Sequence, residues 1–485
     1  MALSEQTVPS AVFAPVSRSG VLGGLSGWQL VLAAVGLARP LWDLIAAGNL
    51  PAAAGALLWW TTPVLVLALG SWKGRSFLER VSTVGLFGVR KALGQTRAVV
   101  RVHGADRAGV VAIPGALGDR LTVLDMVGTV FDGGCFLWDK ATREATVVLR
   151  VTTHGWALAS AEEKTARAAG LTNLCQRLAG TQGVVRVVKH SRTYPVPAPE
   201  APPVDPDDLT AVDAAELAAH PAMAALRGRD EVITITVDAT VVSAEIDAAG
   251  GGVQGLSWVL GDRVGAVLAG LPECGVRTED AAWWSPGQIR AAVRLAFDPA
   301  ASGTLAAAGW SLPDGAVLAT VVDERLDHLV TDTGVHRTYW VETWPSTPAR
   351  AGFLSNLVST GSVCRTVTQM WCPGATYSAE RRLRNEEASH TSAAAVNQKL
   401  GRPASIQHRV QSKELDRRRG ELEAGFADVR HSGWVTLTGS DPDDLRAAEL
   451  WLRSTAQGLS LKVLRGDQWA AFCTAALPLG IGPRL

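Results

Sequence analysis

The chain contains 485 residues, of which 47% are hydrophobic and 19% charged, and 46 basic side chains balance 46 acidic ones. This length predicts two or three folded units, and the apolar content excludes a largely disordered chain. Zero net charge argues against a protein that mainly binds nucleic acid, because phosphate binding requires a basic excess.

Two uncharged runs near the N-terminus predict a transmembrane helical hairpin within residues 1–72. The spans are expected at about 21–42 and 51–70, because roughly twenty helical residues cross a hydrocarbon core of about 30 Å. Trp42 and Trp72 stand near span ends, where aromatic rings favour the headgroup layer. A cleaved signal peptide ending near Ala38 and a buried hairpin of a soluble protein remain alternatives.

Basic residues dominate after the second span, where residues 73–97 form a basic juxtamembrane segment. The positive side chains are Lys73, Arg75, Arg80, Arg90, Lys91 and Arg97 within this segment and Arg101 just beyond it, and Glu79 is the acidic one. This excess places the bulk of the chain in the cytoplasm and predicts a multi-pass protein of the cell inner membrane. The segment either lies along the anionic leaflet or forms an ordinary solvated linker helix.

Residues 98–192 are predicted to form a first α+β domain. Alternating apolar residues indicate strands at 121–126, 135–139 and 145–152. Ser160 and Glu163 form a capping box at the start of a helix, and a strand follows at 184–190. A Pro-rich linker is expected at 193–208.

Residues 209–485 are predicted to form a second α+β domain. Strands are expected at 232–240, 316–322, 336–344, 363–371, 434–438 and 461–465, and helices at 253–271, 286–297 and 351–357. Asp441, followed by proline and acids, marks a helix start, so the last part is predicted to be a β-α-β unit.

A protruding charged helical hairpin is expected at about 376–430, broken at Gly401-Arg402-Pro403. Basic and acidic side chains are interleaved along it: Arg381, Arg382, Arg384, Glu386, Glu387, Glu414, Asp416, Arg417, Arg418, Arg419 and Glu421. Mixed signs are typical of a solvated helix face, and a partner-docking or nucleic-acid surface is the alternative. The fold class is therefore α+β: a transmembrane helical hairpin, then two cytoplasmic α+β units with this charged hairpin.

Catalytic motifs are missing from the sequence. No lysine follows a glycine, so the chain has no Walker A motif. Gly250-x-Gly252-x-x-Gly255 spells a dinucleotide pattern, but residues 243–249 separate it from the preceding strand, which favours a flexible helix start.

Metal-binding patterns are equally weak. Asp205-x-Asp207 and Asp441-x-Asp443 lie where acidic helix starts are expected. The six cysteines contain no C-x-x-C pair, and the nine histidines do not cluster. We therefore expect no catalytic, cofactor-binding or metal residues, no cofactor and no enzymatic activity.

Three segments carry a resemblance to secretion proteins. They are Tyr339-Trp340-Val341-Glu342-Thr343-Trp344-Pro345, the charged helices after Cys372, and Asp467-Gln468-x-x-x-Phe472-x-x-x-Leu477-Pro478-Leu479-Gly480. Together they resemble the N-terminal, non-motor region of conjugation and secretion ATPases of the VirB/TraC class. The two-span hairpin with its basic flank resembles a PrgI-type two-helix subunit of type IV secretion systems. The combination looks closest to an actinobacterial family of conjugation-associated membrane proteins.

The resemblance implies a non-enzymatic inner-membrane scaffold or adaptor of a conjugation or type IV secretion-like complex. Such a protein would anchor and orient a separate P-loop ATPase. Expected partners are that motor ATPase, other inner-membrane subunits and the lipid bilayer, without direct sequence-specific nucleic acid binding. A type VII secretion component of the EccE family is the alternative, and a membrane-bound enzyme with an unrecognised site is a third hypothesis.

Overall fold

A computed structural model describes most of the chain. The described residues are 27–45, 48, 50–69, 71–72, 75–100, 109–118, 120–129, 133–153, 155–156, 158, 159–197, 209–220, 226–345, 351–374, 380, 383–384, 386–388, 391, 412, 415–417, 419–420, 423 and 429–483. They fall into two compact units. The sheet unit is drawn from residues 96–375 and 427–485, and the helical unit from 14–95 and 376–426.

The sheet unit is built on a large antiparallel sheet with thirteen strands among the described residues. These are β3 (Arg97–Val99), β4 (Leu121–Asp125), β5 (Cys135–Asp139), β6 (Glu144–Val151), β7 (Val184–Pro195), β8 (Arg227–Asp238), β9 (Ala281–Trp283), β10 (Val321–Glu324), β11 (Leu329–Val330), β12 (Val335–Thr343), β13 (Arg365–Pro373), β14 (Val429–Gly439) and β15 (Ser460–Val463). Their order is β3-β10-β11-β12-β14-β13-β7-β8-β6-β5-β4, while β15 pairs with β12 and β9 with β6. The α+β class is thereby confirmed.

Helices cover both faces of this sheet. Their bounds are α5 (Ala161–Gly180), α6 (Leu209–Ala219), α7 (Ser243–Ala248), α8 (Gly252–Gly270), α9 (Pro286–Phe297), α10 (Ser302–Ala307), α11 (Ser355–Ser359), α12 (Pro442–Thr455) and α13 (Gln468–Ala475), and α1 to α4 belong to the helical unit. The capping box of Ser160 and Glu163 is present at α5, and Asp441 caps α12 with its carboxylate. Local cap chemistry thus places both helix starts where the sequence predicts them.

Side chains point alternately to the two faces along each strand, so the sheet has a hydrophobic core on each face. On β8, Val232 packs with Ile289 and Phe472, whereas Ile235 packs with Leu174 and Val264 on the opposite face. We call the face covered by α9 and α13 face A, and the face covered by α5, α8 and α12 face B. A strand buried on both faces has a nearly continuous apolar sequence, and β6 and β8 have such sequences.

The Pro-rich linker predicted at 193–208 does not divide the sheet. β7 runs on to Pro195 and pairs with β8 from Val184↔Val237 to Pro195↔Arg227. Its other edge pairs with β13. A long strand buried on both faces needs a hydrogen-bonding neighbour on each side, and the partner strands come from beyond the prolines. Strands of the two predicted domains therefore share one sheet, and residues 198–208 lie outside the described part.

Two further predictions are corrected in detail. The strand expected at 316–322 begins only at Val321, and the preceding Leu318 and Ala319 are buried loop residues. The final β-α-β unit is of the split type: its strands β14 and β15 do not pair with each other, because β12 lies between them and pairs with both.

The helical unit contains α1 (Gly27–Ile45), α2 (Leu50–Ala56), a π-helical turn (Leu57–Thr61), α3 (Thr62–Leu69) and α4 (Phe77–Ala92). Between α3 and α4, β1 (Ser71–Trp72) pairs with β2 (Arg75–Ser76). In the part of the chain that can be described, none of the helices combines the length and the apolar character needed to cross a membrane. Residues 21–26 of the first predicted span lie outside that part.

We predict that Gly480→Ala destabilises the sheet unit more than Gly458→Ala. Both glycines have positive φ, 66° and 85°, so alanine meets the same backbone penalty of roughly 1–2 kcal/mol at each. At Gly480 the new methyl group would also clash with Thr146 and Thr236. At Gly458 the nearest atom to the new methyl group belongs to Pro345 and lies 3.7 Å away, which is an ordinary contact distance. Urea unfolding of the two full-length variants measures the difference, and equal losses would contradict the packing described for Gly480.

Candidate functional site

The paired helices of the helical unit expose an extensive apolar surface. The Thr61 hydroxyl donates to the Gly36 carbonyl at 2.8 Å, and a Cβ on Gly36 would lie 2.9 Å from Val64, so α1 and α3 pack closely. The exposed large apolar side chains are Val31, Val35, Leu37, Leu41, Trp42, Leu44, Ile45, Leu57, Leu58, Trp59, Trp60 and Val66. Trp59 is 81% exposed and Ile45 78%. Apolar surface of this extent marks a contact with lipid or with another protein.

The predicted basic juxtamembrane segment contains helix α4, with Arg90 and Lys91 in its last turn. Val81, Val84, Leu86 and Val89 are exposed on the same helix. Cations favour a helix C-terminus, where they complement the negative end of the helix dipole. The segment therefore presents both charge and apolar side chains.

The C-terminal motif is buried rather than exposed. We call residues 467–483 the terminal segment. The side-chain amide of Gln468 forms two hydrogen bonds with the backbone of β12. Its oxygen accepts from the Thr338 N–H at 2.9 Å, and its nitrogen donates to the Thr338 carbonyl at 3.2 Å. Phe472 packs on His336, with ring centroids 4.7 Å apart. Leu477 and Leu479 are also buried in the core of face A.

Arg186 of β7 fixes the end of the terminal segment. Its guanidinium donates to the carbonyls of Gly480 at 2.9 Å and Gly482 at 3.1 Å, and to the Glu144 carboxylate at 2.6 Å. Both charged side chains are almost fully buried. A buried ion pair needs its remaining hydrogen-bonding groups satisfied, and the terminal segment supplies those acceptors.

Beside Arg186, a row of polar side chains on face A contacts the same segment. Thr368 donates to the Ala475 carbonyl, and His190 Nδ1 lies 3.2 Å from that oxygen. Burial lowers the pKa of His190 to about 4 and that of His336 to about 3. Both imidazoles are therefore neutral at pH 7 and act as hydrogen-bonding core residues.

The aromatic segment of the resemblance also lies within the sheet. Tyr339 donates to Glu449 of α12 at 2.7 Å, and Trp340 donates from its indole to Ser432 at 3.0 Å. Trp344 stacks on His431 with ring centroids 4.6 Å apart. The residues of the aromatic segment and of the terminal segment are thus framework residues of the sheet unit.

The charged helices at 376–430 fall mainly outside the described residues. The described fragments include helical residues 386–388 and 415–417, and Arg419 forms an ion pair with Glu387. The two residues of this ion pair are 32 positions apart in the sequence. Arg381, Arg382, Gly401, Arg402, Pro403, Glu414, Arg418 and Glu421 are not described.

The remaining candidate motifs occupy structural positions. Helix α7 intervenes between β8 and Gly250, and Gly251 caps the following helix α8, as expected for a flexible helix start. The Asp441 carboxylate accepts from the N–H groups of Asp443 and Asp444, both at 2.9 Å, while Asp205 and Asp207 are not described. Among the described residues, no three histidine, cysteine or acidic side chains are grouped to hold a metal ion.

An open cleft of about 620 Å³ lies in the sheet unit and was not anticipated from the sequence. It forms where β6, β7 and β8 reach one end of the sheet beside α9. Arg192 and Asp230 form a bidentate ion pair across β7 and β8, with distances of 2.8 and 2.6 Å. The Arg192 guanidinium covers the ring of Trp284 at 5.2 Å and that of Tyr194 at 5.6 Å. The cleft wall is therefore both charged and aromatic.

The cleft is lined by more cationic side chains than unpaired carboxylates. Asp230 is engaged by Arg192, and Glu231 by Lys189 at 3.1 Å. Arg150 is exposed and has no ion-pair partner within the described part of the chain. Arg229 is also exposed and donates to the carbonyl of Gly361 at 3.1 Å. Sequence reasoning missed this site because its residues come from distant segments and share no motif.

Comparison with known proteins adds no relative, since no protein-family model matches the chain and no curated protein matches it.

Proposed function

We propose that this protein is a membrane-anchored, non-enzymatic adaptor of a conjugation or type IV secretion-like complex, which positions a separate P-loop ATPase. The observation that carries the proposal is the apolar surface of the paired helices α1 to α3. A soluble protein rarely leaves so many aromatic and aliphatic side chains exposed on two packed helices. The basic residues that follow favour an anchor in the inner membrane with the sheet unit in the cytoplasm.

The lipid environment accounts for the chemistry of the hairpin. Trp42, near the end of helix α1, exposes an amphipathic ring that suits the membrane interface. The Thr61 hydroxyl donates to a carbonyl of the facing helix, so its polar atom is satisfied without water. Small and hydroxylated residues at a close helix contact are the usual means by which helices associate in lipid. The two helices are proposed to enter the bilayer together.

The adaptor role is supported by the resemblance and by the composition of the chain. The aromatic segment at 339–345 and the terminal segment, which carry part of the resemblance, lie in the framework of the sheet unit. The sequence contains no Walker A motif, so ATP hydrolysis would need a separate chain. The sequence of segment 376–430 interleaves both charge signs, Arg419 pairs with Glu387 within it, and we propose this segment as the docking element.

We predict that Trp59→Asp weakens membrane attachment whereas Trp258→Asp does not. Both tryptophans are exposed, by 81% and 55%, but Trp258 belongs to helix α8 of the sheet unit. A carboxylate in the middle of a membrane-inserted helix costs about 3 kcal/mol. Alkaline carbonate extraction of cell membranes measures the effect. Wild type and Trp258→Asp should stay in the membrane pellet, and release of the wild type without detergent would rule out the anchor.

The adaptor role is tested by co-purification from cells that co-express the neighbouring genes. The tagged full-length chain, solubilised in mild detergent, should retain a Walker A-containing protein, and the eluate should hydrolyse ATP. The chain purified alone should not hydrolyse it. Retention of no ATPase after chemical cross-linking, or hydrolysis by the isolated chain, would contradict the proposal.

A further inference from the structure

We propose that the open cleft of the sheet unit binds a small organic anion that combines a planar ring with a phosphate or carboxylate group. The inference does not depend on the adaptor role. It rests on the charges, the rings and the backbone of the cleft residues.

The charge balance favours an anion. Of the three arginines that line the cleft, Arg192 is neutralised by Asp230, while Arg150 and Arg229 have no carboxylate partner among the described residues. Glu231 is occupied by Lys189. Two exposed guanidinium groups next to engaged carboxylates attract a negatively charged ligand, and a guanidinium matches phosphate and carboxylate geometry bidentately.

The aromatic residues favour a ring on that anion. Trp310 packs edge-on against Tyr194, with ring centroids 5.5 Å apart and planes inclined at 65°. Trp284 completes the aromatic lining and is held by the Arg192 guanidinium. Arg150 lines the same cleft as these rings. A ligand that spans the cleft would place its ring against the aromatic side chains and its anionic substituent at Arg150.

The backbone at Trp310 is held in an unfavourable conformation. Its φ is 56°, in the left-handed region that bulky side chains rarely adopt. In this strained conformation the Trp310 indole lines the cleft. Backbone strain of this kind is concentrated at ligand-binding positions. The volume of about 620 Å³ is typical of sites for small organic ligands.

The test is isothermal titration calorimetry on the full-length chain in detergent, with four probes. AMP carries a ring and a phosphate, indole-3-acetate a ring and a carboxylate, adenosine only a ring, and inorganic phosphate only the anion. We expect saturable binding of AMP or indole-3-acetate in the range below about 1 mM, and the stronger of the two identifies the anionic group. Adenosine and phosphate should bind at least about tenfold more weakly, because each lacks one contact.

Variants separate this site from non-specific binding. Arg150→Gln should weaken the better probe about tenfold, since it removes one charge-assisted contact. Arg277→Gln is the matched control, because the Arg277 side chain is 73% exposed and lies outside the cleft. Trp310→Gly, which relieves the φ constraint and deletes the ring, should also weaken binding. Absence of saturable binding for all four probes, or equal affinities in wild type and Arg150→Gln, would overturn the proposal.

Discussion

The contact between Arg186 and the terminal segment is the constraint on which face A of the sheet depends. A guanidinium buried in the middle of a sheet is costly unless every N–H finds an acceptor. Glu144 provides the countercharge, and the carbonyls of Gly480 and Gly482 provide the remaining acceptors. Without the terminal segment, the charged pair would be left with unsatisfied donors. Arg186 and Gly480, 294 positions apart in the sequence, are therefore required together.

This dependence changes the interpretation of the residues that suggested a secretion role. Gln468, Phe472 and Leu477 pack into the core, so they cannot also be the surface that binds a motor. In the proposed adaptor, partner recognition is assigned instead to the charged segment 376–430 and to the apolar helices. The aromatic segment and the terminal segment contribute to the framework of the sheet unit.

Local chemistry could be predicted from the sequence, and non-local pairing could not. The capping side chains of Ser160 and Asp441 act within three residues, so both helix starts were foreseeable. The partners of β7 lie beyond a Pro-rich stretch and beyond residue 360, and no local pattern specifies them. The cleft escaped prediction for the same reason, because Arg150, Arg229 and Trp310 meet only after folding. The sequence signal for the cleft was Arg150, which lies within the apolar run of β6.

Hydrogen–deuterium exchange on Arg186→Met measures this dependence most directly. Removing the guanidinium leaves Glu144 buried without its partner, which costs roughly 3–5 kcal/mol. Amides of the terminal segment and amides of β6, β7 and β8 should lose protection together, because these elements share one cooperative core. Arg446→Met, at an exposed ion pair with Asp443, should leave protection unchanged. Faster exchange confined to the terminal segment, with the three strands as protected as in the wild type, would contradict the dependence of face A on the Arg186 contact.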